Sequence, residues 1–139
     1  MDSDPNDLNS SDKIEELRKR FFVGETEYNQ QLLEKHLEKI LEYAVITSDG
    51  KVLLKNKDII DKDKVGVIIL ARYIGNKLDD SVDEIVTINE ISEYSKIDRQ
   101  VVRARLSTLV EERIILRDDR GKYIMNPINI DKFLLKLEE

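Results

Sequence analysis

The chain has 139 residues, of which 40% are hydrophobic and 37% charged, and its formal net charge is −6. This composition is typical of one compact domain, or of two very small units that share a core, and it excludes a disordered protein. The absence of cysteine excludes disulfides, thiolate catalysis and cysteine-ligated zinc. The negative charge excludes binding of nucleic acid over the whole surface, because phosphate contacts need local Lys and Arg.

No segment combines a basic start with an apolar stretch in the way that a secretory signal does. The most apolar run, Val65 to Leu70, is far shorter than the roughly 20 residues that a membrane span requires. We therefore expect a cytoplasmic protein without a membrane partner.

The chain opens with an acidic, polar stretch, residues 1–11, which is predicted to be a flexible tail. Residues 12–21 begin with an Asp-x-x-Glu capping box and place Ile14, Leu17 and Phe21 on one helical face. A longer helix is predicted from 26 to 43, since its apolar residues recur at helical spacing.

A β-hairpin is predicted next, because Asp49-Gly50 joins the short β-prone runs 45–47 and 51–54. The segment 65–78 is apolar on most sides, which predicts a central, largely buried helix. The acidic stretch 79–84 is predicted to be a loop.

The second half of the chain is predicted to contain further short strands and helices. A strand is predicted at 86–88 and a short helix at 89–94, and Asp98 is placed to cap a helix that runs to Glu112. A second hairpin is predicted from the runs 114–116 and 122–125, joined around 118–121, and a last amphipathic helix over 130–137.

Two segments of the chain are similar to each other. Tyr28 to Asp49 aligns without a gap with Ile97 to Asp118, and Gln31 then falls on Gln100 and Glu42 on Glu111. Helix, strand, turn and strand thus occur twice in the same order. A duplication explains the shared register, and the alternative is two unrelated helix–hairpin elements with similar apolar spacing.

The order helix, helix, turn, helix and two-stranded wing in residues 65–125 resembles the winged-helix family, a helix-turn-helix variant. Within it, residues 91–102 are similar to the helix-turn-helix of many microbial and archaeal regulators. The resemblance implies a mainly α protein with short β-hairpin wings, of the α+β class, with two pseudo-repeated units. The implied organisation is a tail (1–11), a degenerate N-terminal unit (12–58), a C-terminal winged helix (62–127) and a C-terminal helix (128–139).

The helix expected at 98–112 is the candidate for DNA recognition, because residues 99–110 contain three arginines and no acidic residue. At about 100° per residue, an inward apolar stripe turns Gln100, Arg103 and Ser107 outward. Arginine and glutamine can pair bidentately with guanine and adenine edges, and Arg99 together with Arg120 and Lys122 of the wing (117–122) suits phosphate contacts. The predicted DNA-binding residues are Lys96, Arg99, Gln100, Arg103, Ser107, Arg120 and Lys122.

The local charge leaves a second interpretation open. Residues 86–126 contain eight basic and seven acidic side chains, so this unit as a whole is close to neutral. The alternative to a regulator that reads duplex DNA is therefore a winged-helix adaptor that binds only protein. Arg105, nearer the edge of the core, is predicted to be a structural ion-pair partner.

Nothing in the sequence predicts an enzyme, a cofactor or a metal site. The single histidine, His36, lacks convergent partners and is predicted to lie at the surface or in an interface. The sequence contains no glycine-rich phosphate loop and no motif of paired catalytic side chains. A homodimer is expected instead, through the helix 26–43 or the helix 130–137, because many helix-turn-helix proteins bind paired half-sites.

Overall fold

The computed structural model describes residues 12–18, 21, 30–55 and 58–138. This part of the chain is a mixed α+β structure with two small antiparallel sheets, which confirms the predicted class. The tail predicted for residues 1–11 and the predicted start of the second helix at residue 26 lie outside the described residues.

The N-terminal half provides a helical stretch, a helix and a hairpin. Residues 12–18 are helical, but the apolar face predicted for this segment is exposed, since Ile14 is 65% and Leu17 45% accessible. Helix α1 follows, and strands β1 and β2 pair antiparallel with Ile46 opposite Val52. Gly50, in the turn between them, has a φ of 87°, a value that glycine adopts without strain. The predicted Asp49-Gly50 turn therefore has the residue that its backbone needs. The bounds are α1 Gln30–Ile40, β1 Ala44–Ile46 and β2 Val52–Leu54.

Helix α2, Asp61–Leu78, runs through the centre of the molecule and is buried from Val65 to Ile74, as the sequence predicts. It begins four residues earlier than predicted. Asp61 and Asp63 lie in its first turn, where carboxylates interact favourably with the helix dipole. The helix contacts α1, both strands of the first hairpin and elements of the C-terminal half, so both halves are built onto it.

The C-terminal half forms two helices and a three-stranded antiparallel sheet with strand order β3-β5-β4. A capping box fixes the start of α3: the Thr87 hydroxyl accepts from the Glu90 N–H at 3.2 Å, and the Glu90 carboxylate accepts from the Thr87 N–H at 3.0 Å. This box ends the first strand one residue earlier than predicted. The bounds are β3 Val86–Thr87, α3 Ile88–Ser95, α4 Arg99–Glu111, β4 Ile115–Asp119 and β5 Lys122–Met125.

The second hairpin is longer than predicted. Strand β4 continues to Asp119, with a register shift between Arg117 and Asp119, whereas the sequence pattern ended it at residue 116. Such a bulge places one extra residue in a strand and bends it. It also lets the charged sequence of the wing tip remain paired with β5.

The chain ends in a short 3-10 turn, Pro127–Asn129, and helix α5, Ile130–Leu137. Its apolar side, including Phe133, is buried against α1 and α2. The ring of Phe133 lies directly on Gly66 of α2, where a Cβ atom would overlap it. Both helices predicted as dimer seams therefore place their apolar stripes in the core of their own chain.

One hydrophobic core joins the two predicted units. Ile40 and Val52 of the first unit belong to the same cluster as Leu106 and Ile115 of the second. The boundaries predicted at 58 and 62 therefore do not separate two cores. Among the described residues, no helix is both long and apolar enough to cross a membrane.

Candidate nucleic-acid interface

Helix α4 is fixed at both of its ends. Asp98 caps its start, with its carboxylate accepting from the Gln100 N–H at 3.0 Å, as the sequence predicts. At its other end, the Glu112 carboxylate lies 3.1 Å from the Lys62 ammonium of α2. The helix therefore holds one orientation against α2, and its outer face has a defined direction.

The faces of α4 agree with the predicted ones. Val102, Leu106 and Leu109 are almost fully buried. Gln100, Arg103 and Ser107 are exposed, as are their neighbours Ala104 and Arg105. The exposed side of α4 thus carries cations and polar groups but no carboxylate before Glu111.

A cleft of about 380 Å³ separates α4 from the second hairpin. Arg103 of α4 lines one wall, and Arg117 of β4 and Arg120 of the turn line the other, together with Ile88, Gly121 and Tyr123. The cleft opens at the surface, and all three arginines are exposed. We call Arg103, Arg117 and Arg120 the arginine cleft.

Two contacts order the hairpin wall of this cleft. The Arg117 guanidinium carbon lies 5.7 Å from the centre of the Tyr123 ring, within the range of a cation–π contact, and Arg117 also approaches the Tyr123 hydroxyl at 3.5 Å. The Asp119 carboxylate accepts from the Arg120 backbone N–H at 2.7 Å. This wing-tip acid is therefore bonded to the main chain and not to the Arg120 guanidinium.

The charge of the arginine cleft is not neutralised within the described part of the chain. Its three guanidinium groups form no ion pair with any carboxylate there, whereas Lys39, Lys62 and Lys77 do. Three like charges around one opening create a local positive potential on a protein of net negative charge. Such a site favours an anion that several arginines can contact together.

Compared with protein-family models, with curated proteins and with solved structures, the chain gives no significant match.

The remaining predicted site residues lie around this cleft in different directions. The Arg99 guanidinium donates to the Asn89 side-chain oxygen at 3.0 Å, which ties α4 to the start of α3. Lys96 lines a separate cleft of about 750 Å³ beside the first hairpin. Lys122 is exposed, but it precedes Tyr123 in β5, so its side chain is on the opposite face of the sheet from Arg117, the cross-strand partner of Tyr123.

Sequence reasoning missed Arg117 and misjudged Arg105. Arg117 could have been assigned from strand alternation, but only with the register that pairs it with Tyr123. Arg105 is exposed, and no carboxylate of a described residue forms an ion pair with it, so its prediction as a structural ion-pair partner is wrong. The acid at the end of α4, Glu112, is bound by Lys62 instead.

A buried arginine of α2 positions the elements that carry α4. Arg72 is 5% exposed and donates to the Asp83 carbonyl at 2.6 Å, the Ile85 carbonyl at 3.2 Å and the Glu90 carboxylate at 2.9 Å. Burial acts to raise the pKa of the Glu90 carboxyl. The hydrogen bonds from Arg72 and Thr87 outweigh burial and leave that pKa below its ordinary value.

The single histidine is buried, so the prediction of a surface or interface residue is wrong. His36 is 2% exposed, and its Nε2 donates to the Asp131 carboxylate of α5 at 2.8 Å. Asp131 is distant in sequence and becomes a neighbour only because α5 returns to pack against α1. In the described ranges, no three His, Asp or Glu side chains converge as metal ligands would.

Proposed function

We propose that this chain is a winged-helix protein that binds duplex DNA with α4 and the second hairpin. The order α2, β3, α3, α4 and hairpin, with β3 as the third strand of the hairpin sheet, supports a winged-helix arrangement. In this arrangement α3 and α4 are the helix-turn-helix and α4 is the recognition helix. A transcriptional regulator or another factor that acts on DNA is the function that fits it.

The observation that carries the proposal is the unneutralised arginine cleft between α4 and the hairpin. Gln100, Arg103 and Ser107 face outward for base edges, and Arg117 and Arg120 on the hairpin wall of the arginine cleft provide the positive charge for backbone phosphates. Arg99 is exposed in the first turn of α4, whereas Lys96 lines the separate cleft beside the first hairpin. The Lys122 side chain points away from the arginine cleft and is the weakest member of the predicted set.

The proposal is tested by titrating the protein into a fluorescently labelled duplex at several salt concentrations. Binding should weaken with salt, and each phosphate contact contributes about 0.9 to the slope of log K against log salt. The double variant Arg117→Gln/Arg120→Gln, which removes two proposed phosphate contacts, should therefore lower this slope by about 2. If Arg103 contacts a base, Arg103→Ala alone should cost about 1–3 kcal/mol of specific binding.

A matched control removes the same number of charges elsewhere. Lys132 and Lys136 are exposed on α5, which packs chiefly against α1 and α2, and Lys132→Gln/Lys136→Gln should leave the slope nearly unchanged. Absence of wild-type binding at low salt, or equal loss in both double variants, would contradict the proposal.

The second candidate is a winged-helix adaptor that contacts only protein. The formal net charge of −6 and the exposed Asp118 and Asp119 at the wing tip favour it, since both weaken attraction to phosphate. A protein that binds no duplex at low salt but co-purifies with a protein partner, lost on Arg103→Gln/Arg120→Gln, would establish this function instead.

A further inference from the structure

An apolar cleft of about 310 Å³ lies where α1, β1 and the C-terminal half of α2 meet. All of its lining residues are apolar, including Leu37, Val45, Ile46, Leu41 and Leu78. Leu41 and Leu78 form the rim of this cleft and are 44% and 56% exposed. We call this site the α1–α2 cleft. It lies outside the proposed DNA-binding surface, because none of its lining residues belongs to α4 or to the second hairpin.

The same chain carries an amphipathic helical stretch with an uncovered apolar side. In residues 12–18, Ile14 and Leu17 are three residues apart and therefore neighbours on one face. They are 65% and 45% exposed. The rest of this stretch is charged: Asp12, Lys13, Glu15, Glu16 and Arg18.

We propose that the helical stretch 12–18 of one chain docks into the α1–α2 cleft of a second copy, and that the exchange is reciprocal. An apolar helix face inserted into an apolar groove is a common mode of recognition. Within a single chain the helix face and the cleft rim both remain exposed, so a second copy supplies the cover for each. Reciprocal exchange closes a two-fold dimer with two identical contacts.

The connection between the two elements limits how far the helical stretch can reach. Residues 19–29 separate the helical stretch from α1, and at about 3.3–3.6 Å per residue they can span up to about 40 Å. The same reach would let the stretch fold back onto its own chain, so the experiment must distinguish these two occupants.

Cross-linking between single-cysteine variants makes that distinction, because the chain has no native cysteine. Leu17→Cys protein is mixed with size-tagged Leu78→Cys protein and treated with a short bis-maleimide reagent. A covalent heterodimer is expected. Leu135→Cys, at an equally exposed leucine of α5 (65%), replaces Leu78→Cys in the control and should not cross-link with Leu17→Cys. A double Leu17→Cys/Leu78→Cys chain that cross-links internally as a monomer, or no cross-link in the mixture, would overturn the proposal.

Sedimentation of the full chain gives the second measurement. At a protein concentration on the order of tens of micromolar, the wild type should be a dimer. The variant Ile14→Asp/Leu17→Asp should be a monomer with an unchanged circular dichroism spectrum. Leu135→Asp should remain a dimer. A monomeric wild type, or a helix variant that still dimerises, refutes the exchange. These results do not depend on DNA, so they can fail while the proposed function stands.

Discussion

Removal of the Arg72 guanidinium should destabilise the protein more than removal of any exposed arginine. In Arg72→Met, the buried aliphatic volume is largely kept, but the Glu90 carboxylate and the carbonyls of Asp83 and Ile85 lose their donor. Breaking a buried ion pair costs about 3–5 kcal/mol. The lower end applies here, because the Glu90 side chain is 31% exposed and water can solvate it.

The two carbonyls add to this loss. Each hydrogen bond to a carbonyl contributes about 1 kcal/mol, so the free energy of unfolding should fall by about 4–5 kcal/mol. That is a large part of the roughly 5–15 kcal/mol that stabilises a natural domain. Urea denaturation followed by circular dichroism measures it, and at a slope of about 2 kcal/mol/M the midpoint should shift by about 2 M.

Two controls separate the ion pair from the loss of an arginine as such. Arg105→Met, at an exposed position without an ion pair in the described structure, should change stability by less than about 0.5 kcal/mol. The pKa of Glu90 is lowered in the folded state. The contribution of the ionised Glu90 side chain to the free energy of unfolding is therefore complete above the ordinary carboxyl pKa of about 4.3, and it is lost as pH falls through the pKa of the folded state. The difference between wild type and Arg72→Met should therefore shrink below about pH 4. A loss under about 1 kcal/mol at pH 7 would refute this account of Arg72.

Two further substitutions test the packing of α5. Gly66→Ala should lower the free energy of unfolding by about 1–3 kcal/mol because its Cβ would overlap the Phe133 ring, although alanine is the better helix former by about 1 kcal/mol. In a comparison of the thermal midpoints of wild type, both single variants and the double variant, Phe133→Leu should reduce the cost of Gly66→Ala. An equal cost in both backgrounds would exclude the overlap. Asp131→Asn should lower the thermal midpoint at pH 7. Burial acts to raise the pKa of Asp131, but His36 and Lys35 hold this pKa below its ordinary value. The stabilisation by the Asp131 carboxylate is therefore present above about pH 4 and is lost at lower pH. A difference between wild type and Asp131→Asn that grows on acidification would contradict this assignment.

Much of the fold could be predicted from the sequence because its determinants are local. The start of α4 follows from Asp98, whose side chain bonds an N–H two residues later, and its faces follow from the spacing of Val102, Leu106 and Leu109. The first hairpin follows from a turn in which Gly50 takes a positive φ. In the candidate site, the same local periodicity predicted the exposure of Gln100, Arg103 and Ser107.

The rest depends on contacts between residues far apart in the chain. Arg117 joins Arg103 only through the register of the second hairpin and the packing of that hairpin beside α4. His36 is buried because α5 returns to α1, where Asp131 becomes its partner.

The amino-acid sequence by itself determined which segments are helices and strands and which side of each is apolar, because hydrogen bonding and side-chain spacing within a few residues decide both. Only the tertiary structure decided which charged side chains share a surface and which apolar faces remain uncovered. Strand register and helix packing set those distances, and a shift of one residue in a strand moves a side chain such as Arg117 to the opposite face.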